Sequence, residues 1–257
     1  MNSDLELALK MADTADAISM ARYRALDLQV ETKPDFTPVT EADRAVETAL
    51  RTALDIDRPA DAIIGEEFPA TNEGASRTWI IDPIDATKNY VRGVPVWGTL
   101  ISLVIDNEPI VGVVSAPAMG RRWWSSPEDG AFTKDVDGSV REISPSKVKS
   151  LSDASFSYSD AVGWDLLGKE SLQKITSVVW RTRAYGDFWS HLLVAEGAVD
   201  IAAEPSLALW DMAAVAIVVK EAGGRFSDLE NNDGPFGKSG VSTNGHLHEI
   251  FIKAINS

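Results

Sequence analysis

Apolar positions recur at Leu5, Leu9, Ala12, Ile18 and Met20 between polar ones, which predicts an amphipathic helix from about Asp4 to Leu28. Two prolines and a loss of period make Lys33–Pro38 a loop. Thr40 is placed to cap a second helix, with Asp43 three residues on. Short apolar runs at 62–64 and 78–82 read as strands. Val96–Ile105 and Pro109–Ser115 read as a strand pair around the turn Asp106-Asn107-Glu108, and Arg121–Ser125 and Gly130–Thr133 extend the sheet.

The polar stretch Ser144–Ser152 is a seam. Beyond it strand and helix alternate: strand Ser155–Tyr158, helix Trp164–Thr176, strand Val178–Arg181, helix Phe188–Glu196, strand Val199–Ala202. A long buried helix Trp210–Ala222, a strand Val241–Asn244 and a terminal helix follow, with His246 and His248 on its surface. The pattern divides the chain into an α+β half, residues 1–144, and a more alternating half, residues 145–257, within one compact unit.

Composition narrows the chemistry. The 257 residues are 44% hydrophobic and 25% charged, ordinary for a globular protein with a sizeable core. No cysteine is present, so disulfides and thiolate metal sites are excluded, and three histidines leave little for a zinc cluster. The absence of a basic, then apolar, leader and of any run near the ~20 apolar residues of a membrane span predicts a cytoplasmic protein. A formal net charge of −15 opposes nucleic acid and anionic membranes as partners. It also repels phosphate esters, unless local cations or a positive charge on the substrate offset it.

The candidate chemistry is acidic. In Trp79-Ile80-Ile81-Asp82-Pro83-Ile84-Asp85-Ala86-Thr87 a strand runs into two aspartates separated by a proline, which interrupts pairing and turns the chain. Two carboxylates at about 5 Å and an effective dielectric of about 20 repel by roughly 3 kcal/mol. A hard divalent ion would offset that, although the spacing alone equally suits a solvated Asp-Pro turn. Gly65-Glu66-Glu67 follows another apolar run. Asp43 and Asp211 stand at helix starts, where the macrodipole favours acids in any case.

Taken in order, Thr40-Glu41-Ala42-Asp43, Gly65-Glu66-Glu67, the Asp82–Thr87 stretch, Trp210-Asp211-Met212-Ala213-Ala214 and Glu221-Ala222-Gly223-Gly224 resemble the signatures of the inositol monophosphatase family. The resemblance runs from about residue 5 to about residue 255. It implies a layered α-β-α-β-α sandwich and hydrolysis of a phosphate monoester with two to three Mg²⁺ ions. By that resemblance the metal ligands are Glu66, Asp82, the Ile84 carbonyl, Asp85 and Asp211. Thr87, Asp43 and Glu66 would orient and deprotonate water, and the amides of Ala86 and Thr87 would face the phosphate. The family usually has glycine where this chain has Ala86, so a small backbone shift is expected there. The resemblance also suggests a homodimer and places Lys33 on a loop that approaches the metals.

The substrate end departs from the inositol-phosphate pattern. Arg183-Ala184-Tyr185-Gly186-Asp187-Phe188-Trp189 and Ala203-Glu204-Pro205 put carboxylates and aromatics where small residues are usual. Asp187, Glu204 and Asp211 are expected to bind substrate, with Arg183 and Trp189 as further candidates. These patterns are similar to the histidinol-phosphate phosphatase branch, whose substrate carries an ammonium and an imidazole. The alternatives are an inositol or sugar monophosphatase and, more remotely, a non-catalytic metal- or phosphate-binding regulator.

Overall fold

The computed structural model describes residues 3–127, 129–164 and 170–256. Helices α1 (Ser3–Arg22) and α2 (Glu41–Asp57) flank a small hairpin, β1 (Val30–Thr32) and β2 (Pro38–Thr40). The Lys33–Thr37 segment is the tip of that hairpin. The first helix ends six residues earlier than its sequence suggests, in turns leading to β1. Thr40 and Asp43 form a reciprocal cap on α2, each accepting from the other's backbone N–H.

A seven-stranded sheet follows, in the spatial order β3 (Ala62–Gly65), β4 (Arg77–Asp85), β5 (Gly98–Ile105), β6 (Glu108–Ala116), β7 (Arg121–Ser126), β8 (Gly130–Lys134), β9 (Val140–Glu142). Only β3 and β4 run parallel. Between β4 and β5 lies the short helix α3 (Thr87–Arg92). The exposed edge strand β9 has no apolar alternation to announce it.

The second sheet has five strands in the order β11 (Arg181–Arg183), β10 (Ser155–Ser157), β12 (Ile201–Glu204), β14 (Gly240–Thr243), β13 (Arg225–Ser227). Four helices accompany it: α4 (Ser171–Val178), α5 (Asp187–Ala195), α6 (Leu209–Glu221) and α7 (His248–Ile255). The helix read over Trp164–Thr176 is seen from Ser171, its residues 165–169 lying outside the described chain. Val178 closes that helix instead of opening a strand, and the strand begins at Arg181.

The layers alternate as the family resemblance implies. The α1–α2 pair packs on the seven-stranded sheet through Leu5, Met11, Leu50, Trp79 and Ile101. On its other face the sheet meets α5 and α6 through Leu100, Val114, Leu192, Val215 and Val218. The second sheet lies beyond, with Phe156, Ile175, Val241 and Phe251 joining it to α4 and α7. Every residue of α6 from Met212 to Val219 is buried, as an all-apolar helix between two sheets must be. Gly112 permits this closeness, because a Cβ there would lie 2.4 Å from Ile217. His248 is a correction to its expected surface position. It sits buried on α7, bonded to Ser227 and Thr243, while His246 lies exposed in the preceding turn. No helix among the described residues is long and apolar enough to cross a membrane.

Candidate active site

The site begins where β4 loses its register. Pairing with β5 shifts between Asp82 and Asp85, because Pro83 has no N–H to donate. The Pro83 carbonyl accepts from Thr99 Oγ1 at 2.8 Å, and Asp82 Oδ1 accepts the Ile84 N–H at 2.9 Å. Ala86 then takes a left-handed conformation, φ 64° and ψ 46°, and α3 starts at once. This is the conformation a glycine would adopt without steric penalty; an L-residue there costs about 1 kcal/mol.

Asp82 and Asp85 from β4 meet Asp211, the third residue of α6, with one oxygen of each within 4.8 Å of the others. Asp211 is oriented by the Ala208 N–H, 2.7 Å from Oδ2, and Asp85 by the Phe188 N–H at 2.9 Å. No basic side chain bonds these three carboxylates among the described residues. Burial, and then repulsion from neighbouring acids, pushes Asp82 and Asp85 well above the usual carboxylate range. Burial raises Asp211 to about 6. An all-oxygen donor set with excess negative charge and no internal cation fits a hard divalent ion.

Glu66 lines the same cleft but stands outside that three-carboxylate group. Its Oε1 accepts from Lys33 Nζ at 2.8 Å, and Lys33 also reaches Glu67 at 2.6 Å. Burial disfavours the lysine's charge, but these two bonds more than offset it and hold its pKa above the ordinary value. The loop is shaped from below by Glu47, fully buried, which accepts from the Glu67 and Phe68 amides and from Arg51. Gly65 is required there, since any Cβ would fall 2.0 Å from Glu47 Oε1.

Thr87 Oγ1 lies 3.2 Å from Asp43 Oδ1 and 2.9 Å from the Ile84 carbonyl. The hydroxyl's single proton therefore has two acceptors, and the carbonyl keeps a second lone pair. Asp43 is buried, and burial raises its pKa against the opposing bonds from Thr40.

The opposite wall comes from the second half. Asp187 opens α5 with φ 50° after Gly186 with φ 87°, and burial lifts its carboxyl to about 6. Glu204 closes β12, almost wholly buried, and accepts from Ser159 Oγ at 2.6 Å; burial raises it to about 8. The cleft, lined on this side by Asp187 and Ser159, encloses about 290 Å³. Arg183, Trp189 and Glu204 are not among its lining residues; Glu204 is almost wholly buried and meets the cleft only through Ser159, which lines it. Arg183 is exposed and bonds the Thr182 carbonyl, and Trp189 packs on Tyr185 with ring centroids 5.3 Å apart. Asn89, Ser159 and Asp160 line the cleft without having been singled out from sequence. The signal for Ser159-Asp160 was present, for an acid just past an apolar strand is the same pattern that marked Asp82.

Comparisons with known proteins bear on the family and the fold. The sequence matches the inositol monophosphatase family over residues 1–257. It is 53% identical to a histidinol-phosphatase of Streptomyces coelicolor, covering 98% of this chain and 97% of the relative. It is 54% identical to a histidinol-phosphatase of Mycobacterium tuberculosis, covering 100% and 99%. Among solved structures, a Thermotoga maritima IMPase superposes with a TM-score of 0.88 at 29% identity, over 99% of this chain and 97% of that one. With its signatures converging on one cleft between two sheets, the chain belongs to the inositol monophosphatase family.

Proposed function

We propose that this protein is a Mg²⁺-dependent histidinol-phosphatase, hydrolysing L-histidinol phosphate to L-histidinol and phosphate. The observation that carries the reading is a single cleft with three uncompensated carboxylates on one side and Asp187 on the other, with Glu204 joined to that wall through Ser159. Full-length identity above one half to proteins named histidinol-phosphatase supports it.

Asp82, Asp85 and Asp211, with the Ile84 carbonyl and Glu66, would hold two to three Mg²⁺ ions. Bound Mg²⁺ supplies charge neutralisation for the phosphoryl oxygens and lowers the pKa of attacking water. The chain's own residues do the rest. The Thr87 hydroxyl donates its hydrogen bond to Asp43 or to the Ile84 carbonyl, which leaves its lone pairs free to accept from water and aim it. Glu66 stands beside it as the base. The amides of Ala86 and Thr87, at the opening of α3, have no intrahelical acceptor and face the phosphate. Asp187 and Glu204 pair with the ammonium and imidazolium of the leaving alcohol. Burial raises both carboxyls, in Asp187 against the nearby charge of Lys88, and a cationic substrate favours their charged forms. The cytoplasm as compartment and a homodimer as assembly are inferred from family analogy.

The test is phosphate release at saturating Mg²⁺ with L-histidinol phosphate and inositol 1-phosphate in parallel. A preference above about a hundredfold in kcat/KM, about 2.7 kcal/mol, is expected for histidinol phosphate. A preference for inositol phosphate would return the chain to the general polyol phosphatases.

A further inference from the structure

Asp187, in the cleft wall, and Glu204, behind Ser159, share one hydroxyl. Ser159 Oγ donates to Glu204 Oε1 at 2.6 Å and accepts the Asp187 N–H at 2.7 Å. The Ser159 amide also bonds Glu204. A serine hydroxyl has one proton to give and two lone pairs to receive; here it gives to one acid and receives from the backbone of the other.

The turn that carries Asp187 needs such support. Gly186 and Asp187 are consecutive residues at positive φ, and for Asp187 that conformation costs free energy unless its surroundings impose it. Two hydrogen bonds impose it. The Gly186 N–H donates to Ser190 Oγ at 2.9 Å, and Ser190 Oγ lies 2.7 Å from Ser157 Oγ. The Asp187 N–H donates to Ser159. Ser190, backed by Ser157, thus holds one amide of the turn and Ser159 the other, and Ser159 also grips Glu204. The two carboxylates repel when charged, and Ser159 is the neutral group that ties them together.

We propose that Ser159 is a positioning residue for substrate discrimination: it fixes Asp187 and Glu204 at one separation, so that the pair accepts a phosphate ester whose alcohol carries two cationic groups. The inference rests on the cationic-substrate reading above and adds to it the residue that sets the spacing of the two acids. Ser159 acts on the substrate through these acids and takes no part in water activation.

The experiment compares the full-length Ser159→Ala and Ser159→Thr variants with wild type at saturating Mg²⁺, measuring kcat and KM for L-histidinol phosphate and inositol 1-phosphate. Ser159→Ala is expected to raise KM for histidinol phosphate about 10- to 100-fold, the range for losing a hydrogen bond to a charged group. Its kcat for that ester should stay within about threefold. The ratio of the two kcat/KM values should fall by at least about tenfold, and Ser159→Thr, which keeps the hydroxyl, should recover most of it. Equal losses on both esters, an unchanged ratio, or a threonine variant as impaired as alanine would each overturn the role of Ser159. A wild type that shows no preference overturns the substrate reading itself, whereas a preference that Ser159→Ala retains overturns only the positioning role.

Discussion

Two groups of aspartates lie in the first half of this chain, and they are built on opposite terms. Asp4 and Asp61 meet Arg58 and Arg77. Arg58 reaches Asp4 at 2.7 Å, Arg77 bridges Asp4 and Asp61 at 3.0 and 3.1 Å, and Trp79 Nε1 donates to Asp61 at 2.9 Å. Burial alone would raise Asp4, but the two guanidiniums outweigh it and hold its carboxyl below the usual value. Asp82 and Asp85, joined by Asp211, have backbone donors and one another but no cation, and burial pushes all three upward. The first group is closed by its own cations and stabilises the fold. The second leaves its charge for something outside the chain. The difference separates a structural acid from a functional one where sequence spacing does not.

The comparison is broken most severely at Asp85. Asp85→Asn should lower kcat by at least about a thousandfold, on the order of 4 kcal/mol, while leaving the far-UV circular dichroism intact. In metal-free buffer the variant should melt higher than wild type, because a repelling charge has been removed. Full activity in this variant would remove the assignment of the group to metal. Mg²⁺ itself supplies the next largest effect. At a hundred times its Kd a single ion stabilises the folded chain by about 2.7 kcal/mol, which is a rise of roughly 6–10 °C in Tm. The rise should be strongly reduced in Asp85→Asn and retained in Asp61→Asn. A melting temperature indifferent to Mg²⁺ would show that the two groups differ for another reason.

The closed group should fail in the other direction. Asp61→Asn removes a charge from Arg77 and weakens the bond from Trp79, so it should cost about 2 kcal/mol of stability and change kcat little. Urea unfolding measures the first and phosphate release the second. A smaller effect sharpens the contrast through pH. In metal-free protein Asp211 titrates near 6, against 3.8 for an unperturbed aspartate. The folded state therefore holds a proton that the unfolded state has lost between those values, and the penalty of ionising Asp211 grows as pH rises from about 4 to about 6. Asp211→Asn should gain stability over wild type across that interval and hold a constant gain above it. Asp211 keeps part of its surface exposed, so screening limits the gain to about 1–2 kcal/mol. A gain that appears only below pH 4 would reverse the sign and refute the argument.

Much of this was legible in the sequence, and the parts that were not have physical reasons. The Thr40–Asp43 cap, the break at Pro83 and the apolar α6 are local features, and local chemistry predicts them. Strand β9 was not visible, since an exposed edge strand of three residues leaves no apolar alternation. His248 was misplaced because periodicity cannot tell a buried histidine, paid for by two hydroxyl partners, from a surface one. The candidate acids could be named from their motifs, but whether each has a cation of its own is a tertiary fact. Lys33 is the clearest instance. Its loop is evident from two prolines, whereas its double contact with Glu66 and Glu67 depends on how the hairpin tip folds over the end of β3.

Ala86 sets the smallest effect, and three terms decide it. Replacing it by glycine would relieve about 1 kcal/mol of left-handed strain. The same change would add conformational freedom to the unfolded chain, costing about 0.4–1 kcal/mol. It would also remove a methyl group that packs with Ile84, Tyr90 and Trp97, and a fully buried methyl contributes about 0.8 kcal/mol. The second and third terms together slightly exceed the first, so Ala86→Gly should be neutral to destabilising by about 0.5 kcal/mol, with kcat within about twofold of wild type. Thermal melts and phosphate release check both. A stabilisation above about 1 kcal/mol would show that strain dominates and that the turn is held against its own preference. A loss above about 2 kcal/mol would show that the methyl anchors the turn on the aromatic cluster. In the expected case the alanine is tolerated because the side chain that strains the backbone also fills the space beneath it.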